Sequence, residues 1–455
     1  MRNTTRRAYV IFALVAAFFA GLIFMAYSFV TNADEWASSR LNEHIYKYRQ
    51  LSTAGAIYDR DGEVLVASKD GERIYNENGT VRLATLHLVG DSQGYISTGL
   101  QTVYRPYLIG YNFVDGVYKT VRDKKGNDMK LTVDADISAA AYNALVGNKG
   151  TICAYNYKTG DVVCMVSAPS FDPLNKPTDI DTDTSGKYDG IYLNRFISGV
   201  FTPGSTFKVV TTICAIQNIP NVSKRTFSCT GRYKIGKQAV ICNSVHGKVS
   251  FERALNVSCN CAFAQLAVEL GNDKMMQTAS QLGFDKTVSV NGMTTVKSYF
   301  DLSKSTKLDR GWAGIGQYTT LVNPCRMLML MGAVANGGEA VIPNTVSTQT
   351  SLLAQKTTVD KNMKFDAGIA KKVRKMLRSN VENYYGDWQF PGLKMCGKTG
   401  SAEVEGKKSH AWFVGFSQDT SFPYAIVVCL ENGGIGYNDA IPAANKVMQA
   451  IKNYS

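Results

Sequence analysis

The first strong feature of the chain is an uncharged and mostly apolar run from Ala8 to Val30. About 20 apolar residues are enough to span a bilayer as a helix. Three arginines precede the run, whereas Asp34 and Glu35 follow it, and basic residues mark the cytoplasmic side of a span. We therefore predict one membrane-spanning helix with a cytoplasmic N-terminus. A cleaved signal peptide is the alternative, but its apolar region runs only about 7–15 residues and ends at a small-residue site.

The remainder of the chain divides into two parts with different patterns. Short apolar groups and polar turns predict a small β-rich domain from residue 31 to residue 130, with strand, turn and strand around 56–66. Helical and strand patterns alternate from 131 to 455, which predicts helices around an antiparallel sheet, an α+β fold. The expected helices are 136–146, 207–217, 262–270 and 443–453, and the expected strands are 151–155, 162–167, 395–400, 410–416 and 424–430. Residues 1–30 form the stub and membrane anchor.

The charge balance narrows the choice of partners. Lys and Arg number 50 and Asp and Glu number 37, so the formal net charge is +13, which suits a polyanionic neighbourhood. No basic block or basic–aromatic stripe follows the first residues, and we expect no nucleic-acid partner. The four histidines are far apart and none has metal-ligand spacing, so we expect no metal site. An acidic loop at 179–183 starts like a calcium loop, but Thr184 and Gly190 occupy positions that need glycine and glutamate.

Two of the ten cysteines, Cys229 and Cys242, flank a predicted hairpin tip at 234–237. A turn centred on Ile235 and Gly236 would place the two cysteines directly opposite each other. Opposed strand residues lie about 4.5–5.5 Å apart, which is within disulfide reach. We expect a disulfide here, and two reduced, buried thiols are the alternative.

A candidate nucleophile, Ser205, follows the break made by Pro203 and Gly204 and begins a predicted helix. Lys208 lies three residues further on, so the two side chains share one helix face. A serine hydroxyl needs a neighbouring base to become a nucleophile. Free N–H groups at the helix N-terminus could also face a developing anion. A capping serine beside a surface lysine would give the same four-residue pattern.

A second motif, Ser258 and Asn260, precedes another predicted helix. The hydroxyl could relay a proton and the amide could hold a substrate amide group. A plain helix N-cap is the alternative, because serine and asparagine are common there. Residues 289–291 have the same serine–asparagine spacing, but they lie in a turn-like stretch with no helix directly after it.

A third motif, Lys398, Thr399 and Gly400, ends an apolar strand. The lysine and threonine could bind a carboxylate, and the glycine leaves room for a substrate against the backbone. The N–H groups of Ser401 and Ser205 could form an oxyanion hole. Residues 158–160 repeat the lysine–threonine–glycine letters, but they form the tip of a predicted hairpin, where glycine serves the turn.

The three motifs in this order resemble those of class B penicillin-binding proteins. The matching segments are 201–208 (FTPGSTFK), 254–260 (ALNVSCN) and 397–403 (GKTGSAE), and the segments 57–62 and 410–416 also resemble the family. The resemblance implies a five-stranded antiparallel sheet flanked by helices, an all-helical lobe, a small β-rich pedestal and a membrane helix. It implies neither a cofactor nor a metal.

The implied activity is that of a peptidoglycan D,D-transpeptidase in which Ser205 attacks the carbonyl between two terminal D-alanines. The resemblance implies Lys208 as the base, Ser258 as the proton relay and Asn260 as the group that orients the acyl donor. Its implied substrate-binding residues are Lys398, Thr399, Gly400 and Ser401. The implied partners are stem peptides ending in D-Ala-D-Ala, β-lactam antibiotics, the membrane and a glycan polymerase of the SEDS family.

Other functions share these motifs. A serine β-lactamase or a D,D-carboxypeptidase would pass the acyl group to water, and a β-lactam sensor would keep it. A sensor would normally need a cytoplasmic signalling part, and few residues precede the predicted span. A non-catalytic assembly scaffold would still support growth after Ser205→Ala.

Overall fold

The computed structural model of the protein describes residues 2–38, 50–110, 126–347 and 357–454. Its first helix, α1 (Arg2–Ser38), contains a segment, Arg7–Phe29, that is long and apolar enough to cross a membrane. No part of that segment is buried against the rest of the protein. The helix expected at the start of the chain is therefore present.

A small four-stranded sheet follows the helix in the order β3-β2-β1-β4. Its strands are β1 (Ile57–Tyr58), β2 (Val64–Lys69), β3 (Glu72–Tyr75) and β4 (Met129–Lys130). Asp59 closes the turn between β1 and β2, because its Oδ1 atom accepts the N–H groups of Asp61 and Glu63 at 2.9 and 2.8 Å. The strand–turn–strand prediction is thus confirmed. The domain boundary after residue 130 stays a prediction.

The helices have the following bounds, numbered along the chain. They are α2 (Gly79–Val89), α3 (Leu100–Val103), α4 (Arg105–Leu108), α5 (Ala135–Leu145), α6 (Arg195–Ser198), α7 (Lys208–Asn218), α8 (Phe251–Asn256), α9 (Asn260–Gln281), α10 (Lys307–Ala313), α11 (Pro324–Ala335), α12 (Ala367–Asn380) and α13 (Ile441–Tyr454). Gly271 interrupts α9 with a φ of 82°, so the chain bends there.

A five-stranded antiparallel sheet forms the centre of the larger part, in the order β15-β16-β17-β5-β6. Its strands are β5 (Lys149–Asn156), β6 (Val162–Ala168), β15 (Met395–Val404), β16 (Lys407–Ser417) and β17 (Tyr424–Glu431). All five were expected from the sequence, each within a few residues of its observed bounds. The observed architecture is the α+β fold that the resemblance implied.

The central strands of this sheet are apolar at nearly every position, which explains why helices cover both of its faces. Along β17, Val427 packs into one core with the helical lobe, whereas Ile426 and Val428 pack into a second core with α5 and α13. Successive strand residues point to opposite faces, so a strand that is apolar at every position must be buried on both sides. The first core extends through α7, α9, α11 and α12 and supports the motif that follows Pro203.

The remaining strands are short pairs around the helical lobe. They are β7 (Thr226–Cys229), β8 (Arg232–Ile235), β9 (Gln238–Ile241), β10 (Gly247–Ser250), β11 (Ser289–Val290), β12 (Met293–Thr294), β13 (Glu339–Val341) and β14 (Val359–Lys364).

The predicted register of the hairpin near residue 235 is wrong. Ile235 pairs with Gln238, so the turn lies one residue later than expected and Arg232 is opposite Ile241. Gly236 takes the positive φ, 64°, that a tight hairpin turn requires. Cys229 belongs to a different pair of strands, in which its partner is Gly247.

Candidate active site

Ser205 lies on a short 3-10 turn, Gly204–Phe207, which leads directly into α7. Gly204 has a φ of 52°, a left-handed conformation that glycine adopts without strain. A Cβ atom on this glycine would lie 2.8 Å from the carbonyl oxygen of Ser401. The turn that carries Ser205 therefore sits directly against β15. The sequence predicted a helix from the serine onward, whereas the α-helix begins at Lys208.

The amine of Lys208 is completely buried at the centre of the site. Its Nζ atom lies 3.0 Å from the Oγ atom of Ser205, 2.6 Å from the carbonyl oxygen of Ser258 and 2.7 Å from Oδ1 of Asn260. Burial, and secondarily the nearby charge of Lys398, holds the pKa of Lys208 well below its ordinary value. A neutral lysine amine has two N–H groups and one lone pair. The carbonyl oxygen of Ser258 and Oδ1 of Asn260 can only accept hydrogen bonds, so each takes one N–H group. The lone pair is then left to accept the proton of the Ser205 hydroxyl.

The amide of Asn260 has a fixed orientation. Its Nδ2 group donates to the carbonyl oxygen of Ile241 at 2.9 Å, which turns Oδ1 toward Lys208. Ser258, two residues earlier, has a φ of 54°, which is unusual for a residue other than glycine. This conformation lets both its carbonyl oxygen and its hydroxyl face Lys208, the hydroxyl at 3.0 Å.

Lys398 is the second buried amine of the site. Its Nζ atom lies 3.1 Å from Oγ of Ser258 and 3.0 Å from the carbonyl oxygen of Thr399. Burial lowers the pKa of Lys398 to about 7. Among the residues that the structure describes, neither Lys208 nor Lys398 forms an ion pair. In its protonated form, the buried amine of Lys398 has no acidic partner among the described residues, so it favours the entry of an anion.

Gly400 and Ser401 continue β15 past Ser205. A Cβ atom on Gly400 would lie 2.6 Å from the carbonyl oxygen of Pro203, so only glycine allows the strand to approach the serine turn this closely. The Ser401 hydroxyl accepts the N–H group of Gly436 at 3.1 Å. The strand edge is thereby fixed against both the serine turn and the loop before α13.

Tyr385 is a site residue that the sequence analysis missed. It lies on a π-helical turn, Val381–Gly386, directly after α12. Its hydroxyl oxygen lies 3.3 Å from Nζ of Lys398 and accepts the N–H and hydroxyl groups of Thr399, each at 3.1 Å. No short motif surrounds this tyrosine, and only the fold brings it to β15.

The motif residues lie around one cleft of about 480 Å³, and most of them line it. Aromatic surface in the cleft comes from Trp312, Tyr384 and Tyr437. Among the described residues that line the cleft, Glu403 is the one with an acidic side chain. All three motifs expected from the sequence therefore meet in one place. The second serine–asparagine pair, at 289–291, and the second lysine–threonine–glycine triplet, at 158–160, lie outside this cleft. Asn291 is buried and bonded to Thr345 and Asn344, and residues 158–160 lie in the turn between β5 and β6.

The expected disulfide is not present, because Cys229 and Cys242 are both free thiols. The shift in hairpin register separates them from a direct cross-strand pairing. They nevertheless lie close to each other and to the loop of Ser258. Cys242 Sγ accepts the backbone N–H of Asn260 at 3.2 Å.

Comparison with known proteins assigns the family. Residues 150–452 match the model of the penicillin-binding protein transpeptidase domain. The chain belongs to this family. Together with the apolar helix α1, family membership indicates a membrane-anchored class B penicillin-binding protein.

Named relatives agree with this assignment. The chain is 25% identical over 378 residues to the peptidoglycan D,D-transpeptidase PbpA of Mycolicibacterium smegmatis, covering 75% of this chain and 76% of that protein. It is similar to the D,D-transpeptidase domain of a peptidoglycan glycosyltransferase from Eggerthella lenta, with 26% identity, a TM-score of 0.73, and coverage of 88% and 98%. Penicillin-binding protein A from M. tuberculosis in an imipenem acyl-enzyme complex has the same fold, with 23% identity, a TM-score of 0.76, and coverage of 89% and 99%.

Proposed function

We propose that the protein is a peptidoglycan D,D-transpeptidase that forms an acyl-enzyme on Ser205, with stem peptides as substrates and β-lactams as inhibitors. The observation that carries this proposal is the contact between Ser205 Oγ and the buried amine of Lys208 at 3.0 Å. A lysine with a lowered pKa can accept a proton at neutral pH. The relatives named as peptidoglycan D,D-transpeptidases support the substrate class.

Acylation begins when Lys208 takes the proton of Ser205 and the serine oxygen attacks the carbonyl between the last two D-alanines. The bond to the terminal D-alanine then breaks, and its nitrogen needs a proton. Ser258 is placed to deliver that proton, since its hydroxyl lies 3.0 Å from Lys208 and 3.1 Å from Lys398. Asn260 holds the donor peptide by its amide while keeping Oδ1 on Lys208.

The terminal carboxylate of the donor is the anion that the protonated amine of Lys398 favours. Lys398 supplies the charge and Thr399 supplies a hydroxyl, while Gly400 lets the strand lie directly against the serine turn. The N–H groups of Ser205 and Ser401 form the oxyanion hole for the tetrahedral intermediate. The close approach at Gly204 brings these two residues to the same side of the cleft.

The direct test is intact-mass spectrometry of the full-length chain after incubation with penicillin. We expect one adduct of the mass of penicillin, and we expect none in Ser205→Ala. Ser289→Ala, in the competing motif, is the matched control and should be acylated like the wild type. An adduct that persists in Ser205→Ala would place the nucleophile elsewhere.

The position in the cell follows from the charges around α1. Arginines before the span and acidic residues after it favour a cytoplasmic N-terminus and a catalytic domain outside the cytoplasm. A reporter enzyme that is active only after export, fused after the last residue, should be active. Activity of a reporter that works only in the cytoplasm would reverse the orientation.

A glycan polymerase of the SEDS family is the partner proposed for the membrane. The support is the family resemblance and a spanning helix whose surface is uncovered in the monomer. Site-specific photocrosslinking from α1 in living cells should capture such a polymerase. Crosslinks to other membrane proteins alone would contradict this pairing.

A further inference from the structure

Three cysteines and a histidine meet beside the cleft. Cys229 ends β7, and Cys242 directly follows β9. His246 precedes β10, and Cys259 directly follows Ser258. Their sulfur atoms and one ring nitrogen all lie within 4.8 Å of one another. We propose that these four side chains bind one Zn²⁺ ion and that the ion positions the loop of Ser258.

The distances between the four donor atoms fit a zinc site. Structural zinc is tetrahedral, with Zn–S near 2.3 Å and Zn–N near 2.0–2.1 Å, so the edges between donor atoms are about 3.6–3.8 Å. His246 Nδ1 lies 3.6 Å from Cys229 Sγ and 3.4 Å from Cys242 Sγ. Cys242 Sγ lies 3.9 Å from Cys259 Sγ. The side chains are therefore arranged at nearly the separation that the ion would impose.

The donor set selects the metal and its role. Thiolate and imidazole ligands favour zinc over magnesium or calcium. Four protein ligands leave no open coordination position, so the site is structural and takes no part in acyl transfer. Binding requires three thiolates and a neutral imidazole, and it releases the thiol protons.

The ion would connect two segments that hold the second motif. Cys259 lies between Ser258 and Asn260, and the sulfur of Cys242 accepts the backbone N–H of Asn260. The side chain of Asn260 also donates to Ile241, the neighbour of Cys242. A left-handed φ at a residue such as Ser258 is strained and persists only where the surroundings fix it. A zinc ion bound to both Cys242 and Cys259 would hold these two segments together and provide that constraint.

Histidine spacing gave no hint of this site because three of its four ligands are cysteines. The four ligands are spread over residues 229–259, with the hairpin of β8 and β9 between the first two and with β10 and α8 between the last two. This proposal revises the expectation of no metal. A disulfide between Cys229 and Cys242 is the competing state, because it would consume two of the same sulfur atoms.

The first experiment measures metal content. The full-length chain is purified in mild detergent with a reductant and without chelators, and zinc per chain is determined by plasma mass spectrometry. We expect about one Zn²⁺ per chain in the wild type and a loss of that zinc in Cys229→Ser and His246→Ala. Cys214→Ser, a buried cysteine on α7 outside the cluster, is the matched control and should keep the metal.

A second measurement does not depend on the folding of any variant. Cobalt(II) replaces zinc in the wild-type chain, and a tetrahedral thiolate site should give strong visible bands with a sulfur-to-cobalt charge-transfer band. The zinc site would be overturned if the wild-type chain took up no zinc from added ZnCl₂ while its thiols are free. It would also be overturned by a Cys229–Cys242 disulfide in freshly isolated membranes, or by zinc that both ligand variants retain.

The positioning role rests on the proposed function and has its own readout. Removing zinc with a chelator should slow acylation by penicillin and shift its pH dependence, because the loop holds two of the oxygens bonded to Lys208. Adding zinc back should restore both. A simple loss of folded protein would lower the fraction of protein that is acylated without moving the pH dependence of the acylation rate. If zinc removal leaves that pH dependence unchanged, the positioning role is refuted. Ser205→Ala should bind zinc normally, so failure of the zinc site and failure of the proposed function are distinguishable.

Discussion

The Nζ atom of Lys398 lies 3.1 Å from the Oγ atom of Ser258, although the two residues are 140 positions apart. The same hydroxyl oxygen lies 3.0 Å from Nζ of Lys208. One serine thus connects the amine proposed as the base with the amine proposed to bind the carboxylate. Because both amines are buried, protonation of one disfavours protonation of the other.

The rate of acylation should have a bell-shaped dependence on pH. Lys208 must be neutral to act as the base, so the rate rises with pH on the acid side. Lys398 must be charged to bind the carboxylate, and its pKa is about 7 in the empty site, so the rate falls on the alkaline side. Stopped-flow measurement of the second-order rate constant for acylation by penicillin at different pH values tests this.

The variant Lys398→Arg separates the two limbs. Arginine stays charged throughout this range, so the alkaline limb should disappear while the acid limb remains. An alkaline limb at an unchanged pH in a folded Lys398→Arg variant would mean that another group causes it.

The contribution of Lys398 to the stability of the protein should rise with pH above about 7. The pKa of Lys398 is lower in the folded chain than in the unfolded chain, so the unfolded chain binds more protons between these two values. Stability then increases with pH, by at most about 1.4 kcal/mol per pH unit for one proton. Ten thiols also titrate near pH 8.5 in the unfolded chain, and they affect the wild type and a variant without this amine alike, so the contribution of Lys398 is measured as the difference in melting temperature between the two.

Lys398→Met is the control for this effect. It removes the buried amine, so the variant should be more stable than the wild type near pH 7, and the difference should shrink as the pH rises. Parallel melting curves for the two proteins at all pH values would contradict the assignment to Lys398.

The sequence predicted the sheet and the three motifs because each depends on local chemistry. Short apolar runs bounded by turn residues define the strands, and Pro203 and Gly204 define the start of the serine turn. Tyr385 was not predictable in this way, because its π-helical turn comes near β15 only through the packing of α12. The pairing of Cys229 failed for a related reason, since a shift of one residue in the turn at Gly236 changed every partner along the hairpin.

Tyr385→Phe should weaken the carboxylate site while leaving the nucleophile intact. The change removes the oxygen that accepts the N–H and hydroxyl of Thr399 and contacts Lys398. An unpaired buried donor costs about 1–3 kcal/mol, which is roughly a 5- to 150-fold loss in affinity. We expect KM for a stem-peptide substrate to rise much more than kcat falls.

Tyr384→Phe is the matched control, because Tyr384 also lines the cleft but is more exposed. It should change KM little. Equal effects of the two substitutions would show that the aromatic wall, not the hydroxyl contact with Thr399, determines binding.

Gly400→Ala should separate β15 from the serine turn. The new methyl group would lie 2.6 Å from the carbonyl oxygen of Pro203 and 2.9 Å from Cγ2 of Thr206. We expect a loss of about 1–3 kcal/mol in stability and slower acylation. Gly79→Ala is the control, because its nearest neighbour, a flexible arginine nitrogen, is 3.5 Å away. Wild-type acylation in Gly400→Ala would mean that the strand can move without disturbing Ser205.

The acyl group of Ser205 should pass to an amine in preference to water. All three motifs also occur in hydrolytic relatives, so the fate of the acyl-enzyme depends on whether a base activates water against it. In class A β-lactamases an additional glutamate has that role. Glu403 is the acidic lining residue among those described here, and it is exposed on β15. Its position in open solvent makes it a poor base for a held water.

The membrane helix further favours transfer to an amine, because it holds the cleft near lipid-linked precursors and raises the local concentration of acceptor. The assay uses a stem-peptide thioester with D-alanine as the competing amine, and product partition is measured against amine concentration. Aminolysis should dominate at high amine, and Glu403→Gln should leave the partition unchanged. Hydrolysis that persists at saturating amine would identify a carboxypeptidase or β-lactamase. A fall in hydrolysis in Glu403→Gln would make that residue its base.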